Sequence, residues 1–302
     1  FRLTKIEFSQ RKFIQIYMRT FFTRAISGFL FAAVVLGALY FNQHTYGALF
    51  LIVSIGCINE YYNIVPPFFK KDSPKINLYK YLGLLIGTLF FLISYFIALG
   101  VLDLRYMLLF PSLLLSFFIL ELFLDSKRPF RNIGINLVGI IYICTSFSLL
   151  HYLTYYHGQY IGQIIIGIIL CVWMNDTGAY VLGSLIGKHK LVPNISPNKT
   201  IEGSLGGVIA TLATAYLVST YLSTMPGFEN IQLLNLTGWL CVAVIVIVFA
   251  SMGDLVESQM KRSLKIKDSG SIMPGHGGFL DRFDAFIFVI PFIVAFCVLY
   301  LK

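Results

Sequence analysis

Between Ser251 and Asp284 the chain reads SMGDLVESQMKRSLKIKDSGSIMPGHGGFLDRFD, 34 residues with five Lys or Arg, five Asp or Glu, one His and five Gly. Carboxylates come first, at Asp254 and Glu257. Cations follow at Lys261, Arg262, Lys265 and Lys267, and carboxylates return at Asp281 and Asp284. On a helix, Asp254, Glu257 or Ser258, Lys261 and Lys265 would share one face. That order suits a divalent cation held by carboxylates, with a polyphosphate reaching from the metal to the cations beyond. Gly270, Gly275, Gly277 and Gly278 let backbone approach a ligand closely. Blander explanations exist for single residues: Asp is a good N-cap, which would account for Asp281, and cations beside a membrane can reflect topology alone. Neither explains why Asp254, Asp281 and Asp284 bracket His276-Gly277-Gly278. His276 itself stays open between a base, a phosphate donor and a turn residue.

Two further polar stretches lie upstream. Asp176, in Trp173-Met174-Asn175-Asp176-Thr177-Gly178-Ala179-Tyr180, follows about fifteen apolar residues. A carboxylate at that depth marks a functional site unless it is paired structurally to a lysine or a backbone amide. The stretch from Gly183 to Gly203 reads GSLIGKHKLVPNISPNKTIEG, with Pro193 and Pro197 breaking helix. Ser196, Asn198, Lys199 and Thr200 are residue types that hold phosphate oxygens, although a helix-capping motif would look the same.

These groups must be held by a chain that is overwhelmingly apolar. Of 302 residues, 57% are hydrophobic and 12% charged, with a mean hydropathy of +0.79; soluble domains carry about 25% charged residues. The sequence therefore predicts an all-α, polytopic integral membrane protein in one membrane domain. About nine apolar segments are long enough to span ~30 Å of hydrocarbon, at 25–41, 46–65, 79–100, 104–123, 132–155, 160–182, 203–223, 235–253 and 283–301. With the N-terminus in the cytoplasm and the C-terminus outside, 21 of the 23 Lys and Arg fall on the inner side, as the positive-inside rule requires. A net charge of +9 then reflects orientation rather than nucleic acid. Residues 1–24 form a basic segment that either an interfacial helix or a disordered tail would explain. Residues 25–155 form the N-terminal spans. Residues 156–302 form a C-terminal catalytic region with cytoplasmic loops at 183–202 and 254–282. The five cysteines sit in separate apolar segments without metal spacing and read as small core residues. No GxxxxGK[ST], HExxH or GxSxG motif is present.

Ser258-x-x-Lys261-Arg262-x4-Lys267-Asp268-x-Gly270, followed by Pro274-x-His276-Gly277-Gly278-x-x-Asp281-Arg282-x-Asp284, closely resembles the 27-residue signature of phosphatidate cytidylyltransferases, or CDP-diacylglycerol synthases. Asn175-Asp176-Thr177-Gly178-Ala179-Tyr180, Ser196-Pro197-x-Lys199-Thr200-x-Glu202-Gly203 and Gly253-Asp254-Leu255-x-Glu257-Ser258 are similar to further blocks of that family. The resemblance covers about the C-terminal half. Met273 and Asn198 depart from the usual Leu, Ile or Phe and the usual Lys.

The resemblance implies a reaction of phospholipid biosynthesis, CTP plus phosphatidate giving CDP-diacylglycerol and diphosphate; the charge distribution puts it at the cytoplasmic face, and the compactness of the chain suggests a prokaryotic plasma membrane, with a eukaryotic endomembrane as the alternative. It implies Mg2+, with room for a second cation such as K+, held among Asp254, Asp281 and Asp284. Lys267 and His276 join Asp254 and Asp281 as candidates for the chemistry. Ser196, Lys199, Thr200, Ser258, Lys261, Arg262, Arg282 and Asp176 are candidates for substrate contacts. The lipid bilayer is a partner, nucleic acid is not, and a homodimer is expected from the resemblance alone. A CTP-dependent lipid kinase and an ion-coupled transporter using Asp176 are the rival expectations.

Overall fold

The structure is a computed structural model, and it describes residues 25–65, 75–124, 128–156, 158–270, 272 and 277–301. The basic segment 1–24 and His276 lie outside the described residues, so the expectations placed on them stand as they were.

Among the described residues nine apolar helices follow one another, eight of them long and apolar enough to cross a membrane. α1 spans Ala25–Phe41, α2 Gln43–Ile64, α3 Lys75–Ala98 and α4 Leu109–Leu124, the last entered through a 3-10 turn at Leu104–Leu108. α5 spans Pro129–Thr154 with a π-helical turn at Ile140–Cys144. α6 spans Gln163–Ile186, α7 Ile201–Thr220, α8 Leu236–Ser263 and α9 Leu280–Tyr300. α1 coincides with the first expected span but is shorter than the eight, so the all-α, polytopic class holds with eight helices of membrane-crossing length where about nine were expected. Many helices are apolar on all sides because they face other helices inward and lipid outward. Phe29, Phe41, Leu122 and Phe123 are accordingly exposed.

Polar residues set the helix starts. Asn42 accepts from the backbone of His44 and Thr45, while the Thr45 hydroxyl accepts from Asn42 N, a reciprocal cap on α2. Asn235 caps α8 through Gly238 N at 3.0 Å, and Thr200 caps α7 through Gly203 N at 3.1 Å.

The connections are shorter and more ordered than the sequence suggests. α6 runs on to Ile186, and most of the expected loop at 183–202 is a two-stranded hairpin, β3 (Lys190–Val192) against β4 (Ser196–Thr200). An earlier two-residue pair, β1 (Tyr155–Tyr156) and β2 (Gln159–Tyr160), turns the chain between α5 and α6. Glu202, in the first turn of α7, holds the hairpin by accepting from the backbone of Lys188 at 3.1 Å and from His189 Nδ1 at 2.6 Å. The expected loop at 254–282 is helical as far as Ser263; α8 closes with Lys265 in the left-handed region, φ 57°.

α6 and α7 touch backbone to backbone. A Cβ on Gly178 would lie 2.5 Å from the Gly206 carbonyl oxygen, and one on Gly207 would lie 3.0 Å from that of Asn175. Small residues at such a seam allow the close approach that drives helix association in lipid. α9 runs through the centre of the bundle: Phe283 packs against Phe31 of α1, Phe50 of α2 and Phe147 of α5. The first turn of α9, with its charged residues, thus sits where three layers of helix meet.

Candidate active site

α8 carries its charged face out of the apolar run on unbroken helix. Asp254, Glu257, Ser258 and Lys261 therefore keep the i, i+3, i+4, i+7 alignment that the sequence implies. Lys265 lies beyond the helix end. Lys261 joins α8 to α9: its ammonium pairs with Glu257 on its own helix and with Asp281 Oδ1 at 2.9 Å. Gly253 makes this possible, because a Cβ there would lie 2.7 Å from Phe288 Cβ on α9. Lys199, the penultimate residue of β4, pairs with Asp254 Oδ2 at 2.8 Å and reaches Ser251 O at 3.4 Å. The hairpin is thereby tied to α8.

The carboxylates fall into two groups. Asp281 is saturated. Besides Lys261, it accepts from Ser269 N at 2.8 Å and from Gly278 N at 2.8 Å. Glu60 of α2 is saturated as well. Although only 3% exposed, it accepts from Ser269 Oγ at 3.1 Å, Phe279 N at 3.0 Å and Leu280 N at 2.9 Å. Gly270 and Gly278 lie against its carboxylate, where a Cβ would collide with it. The second group is Asp176, Asp254, Glu257 and Asp284. Asp176 and Asp254 line one cavity and Asp176 and Asp284 the other, so like charges gather there, and Glu257 Oε1 is buried with no hydrogen-bond partner among the described residues. Lys199 and Lys261 offset part of this group by pairing with Asp254 and Glu257.

Two cavities adjoin it. One, of about 430 Å³, opens between α1, α6 and α9. Its lining combines apolar Phe31 and Val35 on α1 and Trp173 on α6 with charged Asp176, Arg282 and Asp284. The second, of about 250 Å³, lies between α6, β4, α7 and α8 and is lined by Asn175, Asp176, Asn198, Lys199, Ser204 and Asp254. Asp176 lines both.

The sequence-predicted residues divide accordingly. Asp176, Lys199, Asp254, Asp284 and Arg282 are brought to the cavities, and Asp281 borders the larger one. Thr200 lines the smaller cavity, but its hydroxyl is engaged as the α7 cap, so the capping explanation accounts for it. Lys261 is spent on two carboxylates. Ser196, Ser258, Arg262 and Lys267 line neither cavity, Arg262 and Lys267 being exposed. Among the described residues no three His, Cys, Asp or Glu side chains form a ready-made metal cluster. Glu60 was absent from the sequence-level site. It is a lone carboxylate in an apolar span, a signal that could have been read, but no motif surrounds it and its partners are as much as 220 residues away.

Known proteins bear on this arrangement. The model of the cytidylyltransferase family matches residues 22–300, including the N-terminal helices that carry no motif. A protein of Staphylococcus haemolyticus named phosphatidate cytidylyltransferase is 42% identical over 172 residues, 56% of this chain and 58% of that relative. A Staphylococcus saprophyticus protein of the same name is 40% identical over 192 residues, 63% of this chain and 67% of the relative. One from Staphylococcus aureus is 38% identical over 189 residues, covering 59% and 64%. The aligned region thus spans about three fifths of these relatives' lengths. With the family model matching almost the whole chain, and the charged motifs gathered at one place in the bundle, the chain belongs to the cytidylyltransferase family.

Proposed function

We propose that the protein is a phosphatidate cytidylyltransferase, converting CTP and phosphatidate to CDP-diacylglycerol and diphosphate at the cytoplasmic face of a bacterial plasma membrane. The observation that carries this reading is the position of Asp176 in the lining of two adjoining cavities. The larger combines apolar Phe31, Val35 and Trp173 with charged Asp176, Arg282 and Asp284, which suits acyl chains leading to a phosphate. The smaller places Lys199, Asn198 and Ser204 beside Asp176 and Asp254, which suits a nucleotide phosphate. The shared lining would bring both phosphates together. Membership of the family and the names of the staphylococcal relatives support the same substrates.

In this reading an oxygen of the lipid phosphate attacks the α-phosphorus of CTP. A new P–O bond forms, the bond from the α-phosphorus to the bridging oxygen breaks, and diphosphate leaves with the electron pair. Lys199 and Arg282 neutralise the reacting phosphates, and helices α6, α8 and α9 hold them in line; positioning and charge neutralisation do most of the work in phosphoryl transfer. A divalent cation, Mg2+ in this proposal, would meet a buried Glu257 oxygen that lacks a donor. Asp254, Glu257 and Asp284 do not stand as a ready-made cluster and would draw together to hold the ion, while Asp281 would hold the start of α9 in place. When bound, the ion supplies positive charge to the phosphates.

The test is turnover of purified protein with CTP labelled in the base and, separately, in the γ-phosphate. Cytidine label in the lipid product supports the proposal. Transfer of γ-label to the lipid instead would identify a kinase and sink it. The cytoplasmic placement is tested by a cysteine at Asp268, an exposed position; modification by an impermeant reagent from outside intact cells would overturn it.

A further inference from the structure

Glu60 is a buried carboxylate outside the described reaction chemistry that accepts three hydrogen bonds. It comes from α2, in the half of the chain without motifs, yet its partners are Ser269, Phe279 and Leu280, on either side of the glycine-rich turn. Two of its hydrogen bonds come from backbone N–H groups at the start of α9. Those groups have no partner within the helix, and the positive end of the helix dipole favours a negative charge there. A carboxylate is thus the one common side chain that can receive both amides and a hydroxyl together. Asp281 does the complementary job, joining Ser269 N to Gly278 N and to Lys261. The two acids hold both ends of the turn from opposite sides. Gly270 and Gly278 leave space for the Glu60 carboxylate, which assigns those glycines a reason other than flexibility.

We infer that Glu60 is a positioning residue: by receiving the first amides of α9 it sets the rotation and height of that helix, and so aims Arg282 and Asp284 into the cavity. The catalytic part of this inference rests on the cytidylyl-transfer reading; the structural part does not.

The experiment uses the full chain in lipid nanodiscs, comparing wild type with Glu60→Gln and Glu60→Asp. Gln matches Glu in size but loses one acceptor and turns an amide toward backbone donors. Amide hydrogen exchange at Phe279 and Leu280 should accelerate about tenfold in Glu60→Gln, with exchange along the α6–α7 seam unchanged. In the same variant kcat should fall by about tenfold to a hundredfold, while KM for CTP stays unchanged, because the polar cavity does not touch this turn. Glu60→Asp, which keeps both acceptors, should recover part of both losses. Unchanged exchange at Phe279 and Leu280 overturns the contact. Faster exchange with unaltered kcat overturns the positioning role, as does an equal rise in exchange along the α6–α7 seam, which would signal general destabilisation. If wild type transfers no cytidylyl group, the catalytic role falls with the reaction while the exchange measurement still decides the contact.

Discussion

Two sets of acids meet at the junction of α8 and α9, and they differ in what surrounds them. Glu60 and Asp281 receive hydrogen bonds from backbone amides, a hydroxyl and an ammonium. Asp176, Asp254, Glu257 and Asp284 crowd together and share two lysines, with one buried oxygen left without a donor. Buried acceptors are costly when unmatched and useful structurally when matched. The first set therefore holds the turn between α8 and α9, and the second is the crowd of carboxylates at which the proposed cation would sit.

Breaking the second set should have the larger effect. Asp254→Asn is expected to lower kcat by about a thousandfold and to raise the Mg2+ concentration for half-maximal rate. Asp281→Asn should also cost most of the activity, through loss of the Ser269 and Gly278 contacts, but with the Mg2+ requirement unchanged. Initial rates across a Mg2+ titration decide this, and a parallel rise in both variants would erase the distinction drawn between the two sets. Lys199→Ala should reduce kcat/KM by about a hundredfold, mainly through KM for CTP, with no change in melting temperature. A normal KM for CTP would remove the lysine from the nucleotide site.

Smaller effects sharpen the same contrast. Gly278→Ala places a methyl group against Glu60 and should cost about tenfold in kcat. The double variant with Glu60→Asp should regain part of it, because the shorter side chain withdraws from the new methyl; additive losses would show that the glycine serves something else. Thr200→Ala removes only the α7 cap and should lower stability by about 1 kcal/mol, read by chemical denaturation in detergent, with KM for CTP unaltered.

Much of this was visible in the sequence, unevenly so. The nine helices follow from apolar runs that water cannot accommodate, and the Asp254–Lys261 alignment follows from helical spacing carried past the membrane. The hairpin at Lys190–Thr200 was not legible: Pro193 and Pro197 signal broken helix equally well for a loop, and the glutamate that pins the hairpin, Glu202, lies in the next helix. For Thr200 the structure adds a second use of the same hydroxyl, the α7 cap. For Asp281 spacing reports position along a helix, not the donors that arrive from Ser269 and Gly278. Glu60 was hidden for the same reason, since its importance lies entirely in partners distant in the chain.

The glycine seam between α6 and α7 has a mechanical consequence. Side chains between helices act as a compressible layer; where carbonyl meets glycine that layer is missing, and the two helices move as a single plank. Asp176, Lys199 through its strand, and the base of the polar cavity are all fastened to this plank. The Lys199–Asp254 pair ties α8 to this plank through the hairpin, so on the proposed function an anion that drew Lys199 toward itself would weaken that tie.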